Sequence, residues 1–408
     1  MVGSVNKLLA IAGTASAAVF DLPVVIKGTY SSVKLDIGTP PKEHQLLFDT
    51  GSSTLWTVST DCTQDSCPEE NTELYKRQYY NASASSTAVE LAIPATIPYL
   101  GGNIKGEIYQ DVFSALDGSV EWNQSFIAVN ESSWMWITAD GFLGLGFSTI
   151  AEPNTSTLVE TLLWDGKLDK PRFGLYYGKN LGDEGPQDGV LSIGDSHEDK
   201  YVDGQVVYAP LQKVNNEHDL WRTPLKAVHL LVAKNPSNPN HTVETHIGKL
   251  PTTQFSGNGI ESVNMTLSTF GDGKAVFDTG AGRLSVPYEM IDSLYYNLGW
   301  DYQSLLNGTQ RFTCEGMNAS WAISLVLGEG APEDDVVVSI RGDEFLEPGA
   351  QCMPPFDPSG VPSFALVGSA FLQRYYTVWD FGADKVAEYK PRLGFGRLKK
   401  EFDWKYQS

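Results

Sequence analysis

From Tyr30 onward the apolar positions fall in short runs, rich in β-branched and aromatic residues and broken by Gly, Pro, Asn and Asp. "SSVKLDIGTPP", "GVLSIGD", "GQVVYAPL", "DDVVVSI" and "YYTVWDFGADKVAEY" are typical. Runs of this length between turn residues predict a mostly antiparallel β protein. A helical period is scarce, and "STLVETLLWDG" and "PYEMIDSLYYNLGW" are the best short helices. No low-complexity tract or short solenoid repeat interrupts the pattern.

The strand pattern has a weak internal symmetry. "FDTG" ends one apolar run at 48–51 and another at 277–280. Each is followed, at a similar separation, by an apolar-Gly element: "DGFLGLGF" containing Gly144, and "FALVGSAFL" containing Gly368. This predicts two duplicated β lobes. A chain of 408 residues also exceeds what one core usually supports. The cluster of Gly, Asp and Pro in "PRFGLYYGKNLGDEGPQDG" sets the expected boundary, giving an N-terminal lobe over 21–180 and a C-terminal lobe over 181–408.

Charge narrows the partners. With 29 Lys and Arg against 50 Asp and Glu, the net charge is −21, which argues against nucleic acid or an anionic membrane. Residues 1–20 read as a secretory signal peptide: Lys7 is the basic flank, Leu8 to Gly13 the apolar stretch, and Ala15-Ser16-Ala17 the cleavage site. No later stretch reaches membrane length and the C-terminal tail is too polar for a lipid-anchor signal, so no stable membrane anchor is expected. Asn-x-Ser/Thr sequons at Asn81, Asn123, Asn130, Asn154, Asn240, Asn264, Asn307 and Asn318 fit a secreted glycoprotein, extracellular or vacuolar. Four cysteines allow three pairings, and the local ones, Cys62–Cys67 and Cys314–Cys352, are the simplest in an oxidising compartment. No Cys-x-x-Cys or His-x-x-x-His spacing supports a metal site, and none is expected.

The doubled Asp is the candidate chemistry. Two carboxylates held a few ångströms apart resist ionising together, so one keeps a proton to donate while the other can take one from water. That is enough to hydrolyse a peptide without metal, thiol or activated serine, and without any cofactor. Gly-x-Ser-x-Gly and His-Glu-x-x-His are both missing from the chain. "GDGKAV" lacks the closing Ser or Thr of a phosphate loop. Lys76-Arg77 reads as part of a solvated loop, and Arg341-Gly342-Asp343 as a chance tripeptide.

Five motifs in order make the chain resemble a pepsin-family aspartic endopeptidase of the secreted fungal type. "IGTPPKEHQLLFDTGSSTLW" (37–56) and "AVFDTG" (275–280) resemble the two catalytic segments, and "IPYLGGNIKGEIYQDVF" (97–113) the mobile flap. "DGFLGLGF" (140–147) resembles the strand behind the first Asp, and "LVGSAFLQRYYTVWDFGADKV" (366–386) the C-terminal signature. The resemblance implies a mostly β, bilobal fold with a few short helices. It also implies acid-dependent cleavage of protein or peptide substrates by Asp49 and Asp278, in a monomer without cofactor. Thr50 and Thr279 would bond across the lobes. Gly51 and Gly280 would let the backbone N–H groups approach the carboxylates, and Ser52 would bond Asp49. On the flap, Tyr99 would close over substrate with its hydroxyl on the Trp56 indole, and Gly101 and Gly102 would free the tip. A pepsin-like protein that binds a peptide or inhibitor without turnover is the alternative.

Three departures stand out. Ala281 occupies a position where the family usually has a hydroxyl, so Asp278 lacks the bond that Ser52 offers Asp49. The stretch between Ala17 and Asp49 has room for N-terminal strands but not for the family's basic pro-segment. Gly101 stands where some fungal members carry an acid that accepts substrate lysine, so large apolar residues are expected to flank the cut bond.

Overall fold

A computed structural model describes residues 18–406, except 71, 183–186, 237–240, 249–255, 258–259 and 347–351. Of the leader expected over 1–20, residues 1–17 lie outside the described residues, as does the sequon at Asn240; Ala18 and Phe20 belong to the fold instead, Phe20 opening a strand that pairs with Ile193.

Among the described residues the strands form three sheets. An eight-stranded sheet is built from chain segments between Val25 and Gly144, and a nine-stranded sheet from segments between Arg222 and Val367. The six-stranded third sheet takes strands from both ends of the chain, among them Phe20–Pro23, Arg172–Tyr176, Val190–Ile193, Tyr375–Asp380 and Arg392–Arg397. Residue 180 therefore falls between two strands of this shared sheet.

The symmetry in the apolar pattern corresponds to a repeated arrangement of three strands. In the first sheet Lys42–Asp49 runs parallel to Gly141–Gly144, with Asp49 opposite Gly144, and Gly141–Gly144 pairs antiparallel with Trp56–Val58. In the second, Ile260–Phe277 runs parallel to Phe364–Val367, which pairs antiparallel with Leu284–Val286. The carbonyl three residues after each Asp is held alike: Gly146 N–H donates to Ser52 O at 2.8 Å, and Ser369 N–H to Ala281 O at 2.7 Å. Glycine at 144 answers a close approach, since a Cβ there would lie 2.4 Å from the Ser53 carbonyl carbon.

Both predicted helices form. Leu158–Trp164 is capped by Thr157, whose hydroxyl accepts from the Glu160 N–H, and it buries Leu158, Val159, Leu162 and Leu163. Ile291–Asn297 follows a single 3-10 turn, Tyr288–Met290. One continuous apolar core runs through both halves, from Phe48, Phe126 and Leu143 to Phe277, Leu325 and Trp379. Trp221, fully buried, donates its indole N–H to Leu145 O at 2.7 Å, and its own carbonyl accepts from Phe277 N–H at 3.1 Å. It thus links the strand behind Asp49 with the strand leading to Asp278.

Two disulfides close, Cys62–Cys67 and Cys314–Cys352. Lys76-Arg77 is not a solvated loop at its second residue: Arg77 is 2% exposed. Its guanidinium donates to the Trp134 carbonyl, and its N–H to Glu69 Oε1 at 2.8 Å. Burial lowers its pKa, against the opposing pull of the Glu69 charge. Arg341 and Asp343 bond each other at 3.0 Å around a buried Gly342.

Candidate active site

The two "FDTG" segments meet. Each ends a strand whose preceding Phe, Phe48 or Phe277, is fully buried, so the turn is delivered to the boundary between the sheets. Thr50 N–H donates to Thr279 Oγ1 at 3.0 Å, and Thr279 N–H to Thr50 Oγ1 at 3.0 Å. The hydroxyls pass the bonds on, Thr50 to Phe277 O and Thr279 to Phe48 O, each at 2.9 Å. Every donor and acceptor in this four-bond lattice is buried and satisfied.

The lattice sets the carboxyls beside each other. A Cβ placed on Gly51 would stand 2.4 Å from Asp278 Cγ; one on Gly280 would stand 2.6 Å from Asp49 Oδ1 and 3.2 Å from Asp278 Oδ1. A single point beside Gly280 is thus within hydrogen-bond reach of both carboxyls. Neither glycine has a positive φ. Close approach across the lobes requires them, and their N–H groups donate to their own Asp, Gly51 to Asp49 Oδ1 at 2.9 Å and Gly280 to Asp278 Oδ1 at 2.8 Å.

The two carboxyls differ in support. Buried Asp49 also accepts from Ser52 Oγ at 2.5 Å, whereas half-buried Asp278 has as its second donor only the Ala281 backbone N–H at 3.2 Å. Burial, the Asp49 charge and a hydrogen bond to that carboxyl push Asp278 well above the usual carboxylate range, against the pull of the Gly280 and Ala281 amides.

Over the pair lies the hairpin of Val89–Pro98 and Asn103–Ser114, whose tip is tied by Tyr99 N–H to Gly102 O at 2.7 Å. The Tyr99 ring packs on Phe142 at 5.3 Å and edge-on to Trp134 at 6.0 Å. Its hydroxyl points toward Trp56, Ser52 and Asp49, and burial with the Asp49 charge raises its pKa. Neither that hydroxyl nor the Trp56 indole N–H closes a hydrogen bond of good geometry. Gly101 and Gly102 admit the Trp134 indole rather than a positive φ, because a Cβ on Gly101 would lie 2.5 Å from that ring. Leu100 at the tip is 98% exposed.

Around these groups is a cleft of about 610 Å³ lined by Leu47, Ile97, Tyr99, Trp134, Phe142 and Ile150 among others, with Asp49 and Asp278 at its floor. A second pocket of about 730 Å³ continues it past Ala281 and Gly282, walled by Met317, Phe345 and Met353. Trp134 and Arg77 had no signal in the sequence: a Trp among three near-adjacent polar and aromatic residues reads as any strand end. Among the described residues no group of three His, Cys, Asp or Glu could hold a metal ion, and no helix is long and apolar enough to cross a membrane.

Of the candidate glycosylation sites, Asn81, Asn123, Asn154, Asn264 and Asn307 are exposed, while Asn130 and Asn318 are half-buried. Asn318 already spends its amide, with Nδ2 donating to Glu315 O at 2.7 Å and Oδ1 accepting from Ser320 N–H at 2.9 Å.

The family model described as Eukaryotic aspartyl protease matches residues 30–243 and 241–388. Among curated relatives, gastricsin of Rattus norvegicus is 25% identical over 357 residues, covering 86% of this chain and 79% of its own. Pepsin B of Canis lupus familiaris is 26% identical over 362 residues, covering 88% and 80%. The vacuolar aspartic protease of Candida albicans is 24% identical over 367 residues, covering 86% and 73%.

Proposed function

The chain belongs to the eukaryotic aspartyl protease family, a class of aspartic endopeptidases, and on that premise we propose that it cuts proteins in acid through one water shared by Asp49 and Asp278. One observation carries the reading: the carboxyls, far apart in sequence, reach a common point while Asp278 is pushed toward its protonated form. Two carboxyls sharing one proton is the established behaviour of aspartic-protease dyads. Asp49, which accepts from the Gly51 N–H and the Ser52 hydroxyl, takes a proton from the water in this reading. Asp278 donates to the carbonyl oxygen as the water oxygen attacks the carbonyl carbon. The resulting diol collapses when the leaving nitrogen receives a proton and the C–N bond breaks. The pair titrates as a unit.

The apolar lining from Leu47, Ile97, Tyr99 and Phe142 supports a preference for large apolar residues beside the cut bond. Tyr99, on the hairpin tip, is the lid residue in this reading. The secretory leader and the exposed sequons support passage through the secretory route, to the exterior or a vacuole. Cleavage after Ala17 would leave the strand Phe20–Pro23 whole, with Ala18 N–H on Lys167 O at 2.9 Å.

The test is hydrolysis of a denatured protein in acid by the wild type, by Asp49→Asn and by Asp278→Asn, with and without a statine-type inhibitor. Each substitution should lower kcat by at least about a thousandfold with the fold intact. Turnover surviving in either variant would remove the dyad from the mechanism.

A further inference from the structure

Among the described residues, the cleft has one formal charge besides the dyad. Glu152 lines it next to Ile150, half-buried, and its charge is felt at the Tyr99 hydroxyl. Its backbone is held from three directions. The Glu152 N–H donates to the hydroxyl of Thr54, itself 3% exposed, at 2.9 Å. Its carbonyl accepts from Thr155 N–H at 2.9 Å and Thr155 Oγ1 at 2.7 Å. Yet no cation or hydrogen-bond donor among the described residues meets the carboxylate. By contrast Arg283, the charged residue among those described in the adjoining pocket, donates from Nε to Asp357 Oδ2 at 2.5 Å and from Nη2 to Pro354 O.

A half-buried carboxylate on a turn whose backbone is held in this way, with no donor among the described residues, can accept from a cation brought by the substrate. We infer that Glu152 selects a cationic side chain of the substrate, a lysine or arginine within a few residues of the cut bond. The inference rests on the cleft being the peptide site. A long side chain suits the place: its alkyl stem can lie along Ile150 while the head reaches the carboxylate. Asp49 and Asp278 cannot take that role, since both face each other and the amides of their own turns. Apolar residues at the bond and a cation farther out are then read by different walls of one cleft.

The experiment uses peptides with one apolar–apolar bond, in which lysine, glutamate or the neutral norleucine is scanned through four positions on either side. Assays run at about pH 5.5, above the ordinary glutamate value. At one position the wild type should favour lysine in kcat/KM by about tenfold, the scale of one charge-assisted hydrogen bond. In Glu152→Gln the ratio should fall to near one, and in Glu152→Lys glutamate should replace lysine as the favoured residue there. The same peptides with a reduced, uncleavable bond give the preference as a ratio of Kd values. A neutral peptide cut normally, with no lysine preference at any position or one kept in Glu152→Gln, overturns the inference. A lysine preference in Kd with no peptide cut supports it and overturns the hydrolase reading alone.

Discussion

Thr50 and Thr279 hold each other's backbones, each N–H on the other's hydroxyl at 3.0 Å, with the hydroxyls continuing to Phe277 O and Phe48 O. The carboxyl geometry is inherited from this contact, because each Asp is one residue away from it. Thr50→Val keeps the shape but leaves Phe277 O without its donor and Thr279 N–H without its acceptor, both buried. It should cost about 2–5 kcal/mol, read as a lower urea midpoint at unchanged slope. Thr50→Val with Thr279→Val should cost less than the two singles added, because they share one network. Full additivity would show that the lattice does not act as a unit.

Asp278 ties stability and activity to pH in the same direction. Its pKa is raised by burial, the Asp49 charge and the bond to that carboxyl, so the folded protein keeps a proton that the unfolded chain releases. Its stabilising contribution is complete below the unfolded aspartate value and is lost as pH rises through the folded one. The urea midpoint of the wild type should fall from acid toward neutral pH, and fall less in Asp278→Asn. Equal slopes in the two proteins would overturn this account.

Ala281 extends the same argument to turnover. Ser52 Oγ donates to Asp49 at 2.5 Å, and the matching position beside Asp278 offers only a backbone N–H at 3.2 Å. In Ala281→Ser a new donor to the ionised form should lower the joint titration and move the falling, higher-pH limb of kcat/KM down by up to about one pH unit. An unmoved limb would mean that the hydroxyl does not reach the carboxyl.

The Tyr99 hydroxyl is buried without a bond of good geometry. Tyr99→Phe should therefore leave Tm unchanged or raise stability by up to about 1 kcal/mol. If the hydroxyl meets the substrate, the same variant lowers kcat/KM by about tenfold. A clear loss of Tm would show that the hydroxyl is bonded in the free protein.

The disulfides should differ in weight. Cys62–Cys67 spans a separation of 5 residues and Cys314–Cys352 one of 38. Chain-entropy scaling assigns about 2 kcal/mol to the first and about 4 kcal/mol to the second. Paired Cys→Ser variants compared by urea denaturation check the order, and a larger loss at Cys62–Cys67 would contradict it.

Much of this molecule was legible without coordinates. Alternation of apolar and polar residues records which face of a segment is buried, so the mostly β architecture and both short helices follow from local pattern. The repeated "FDTG" and apolar-Gly segments marked the duplicated strand motif, and their order identified the family. The sequence could not say why Gly51, Gly280 and Gly101 are glycines: each yields to an atom from another part of the chain, Asp278, Asp49 and the Trp134 ring respectively. Nor could it separate Arg77, sealed beneath the cleft wall, from Lys76 beside it, or set Glu152 apart from its many acidic companions. Whether a charge is paired, and what closes on a backbone, depends on segments that come together only when the sheets do. Local periodicity contains no record of those meetings, and the tertiary structure alone decided them.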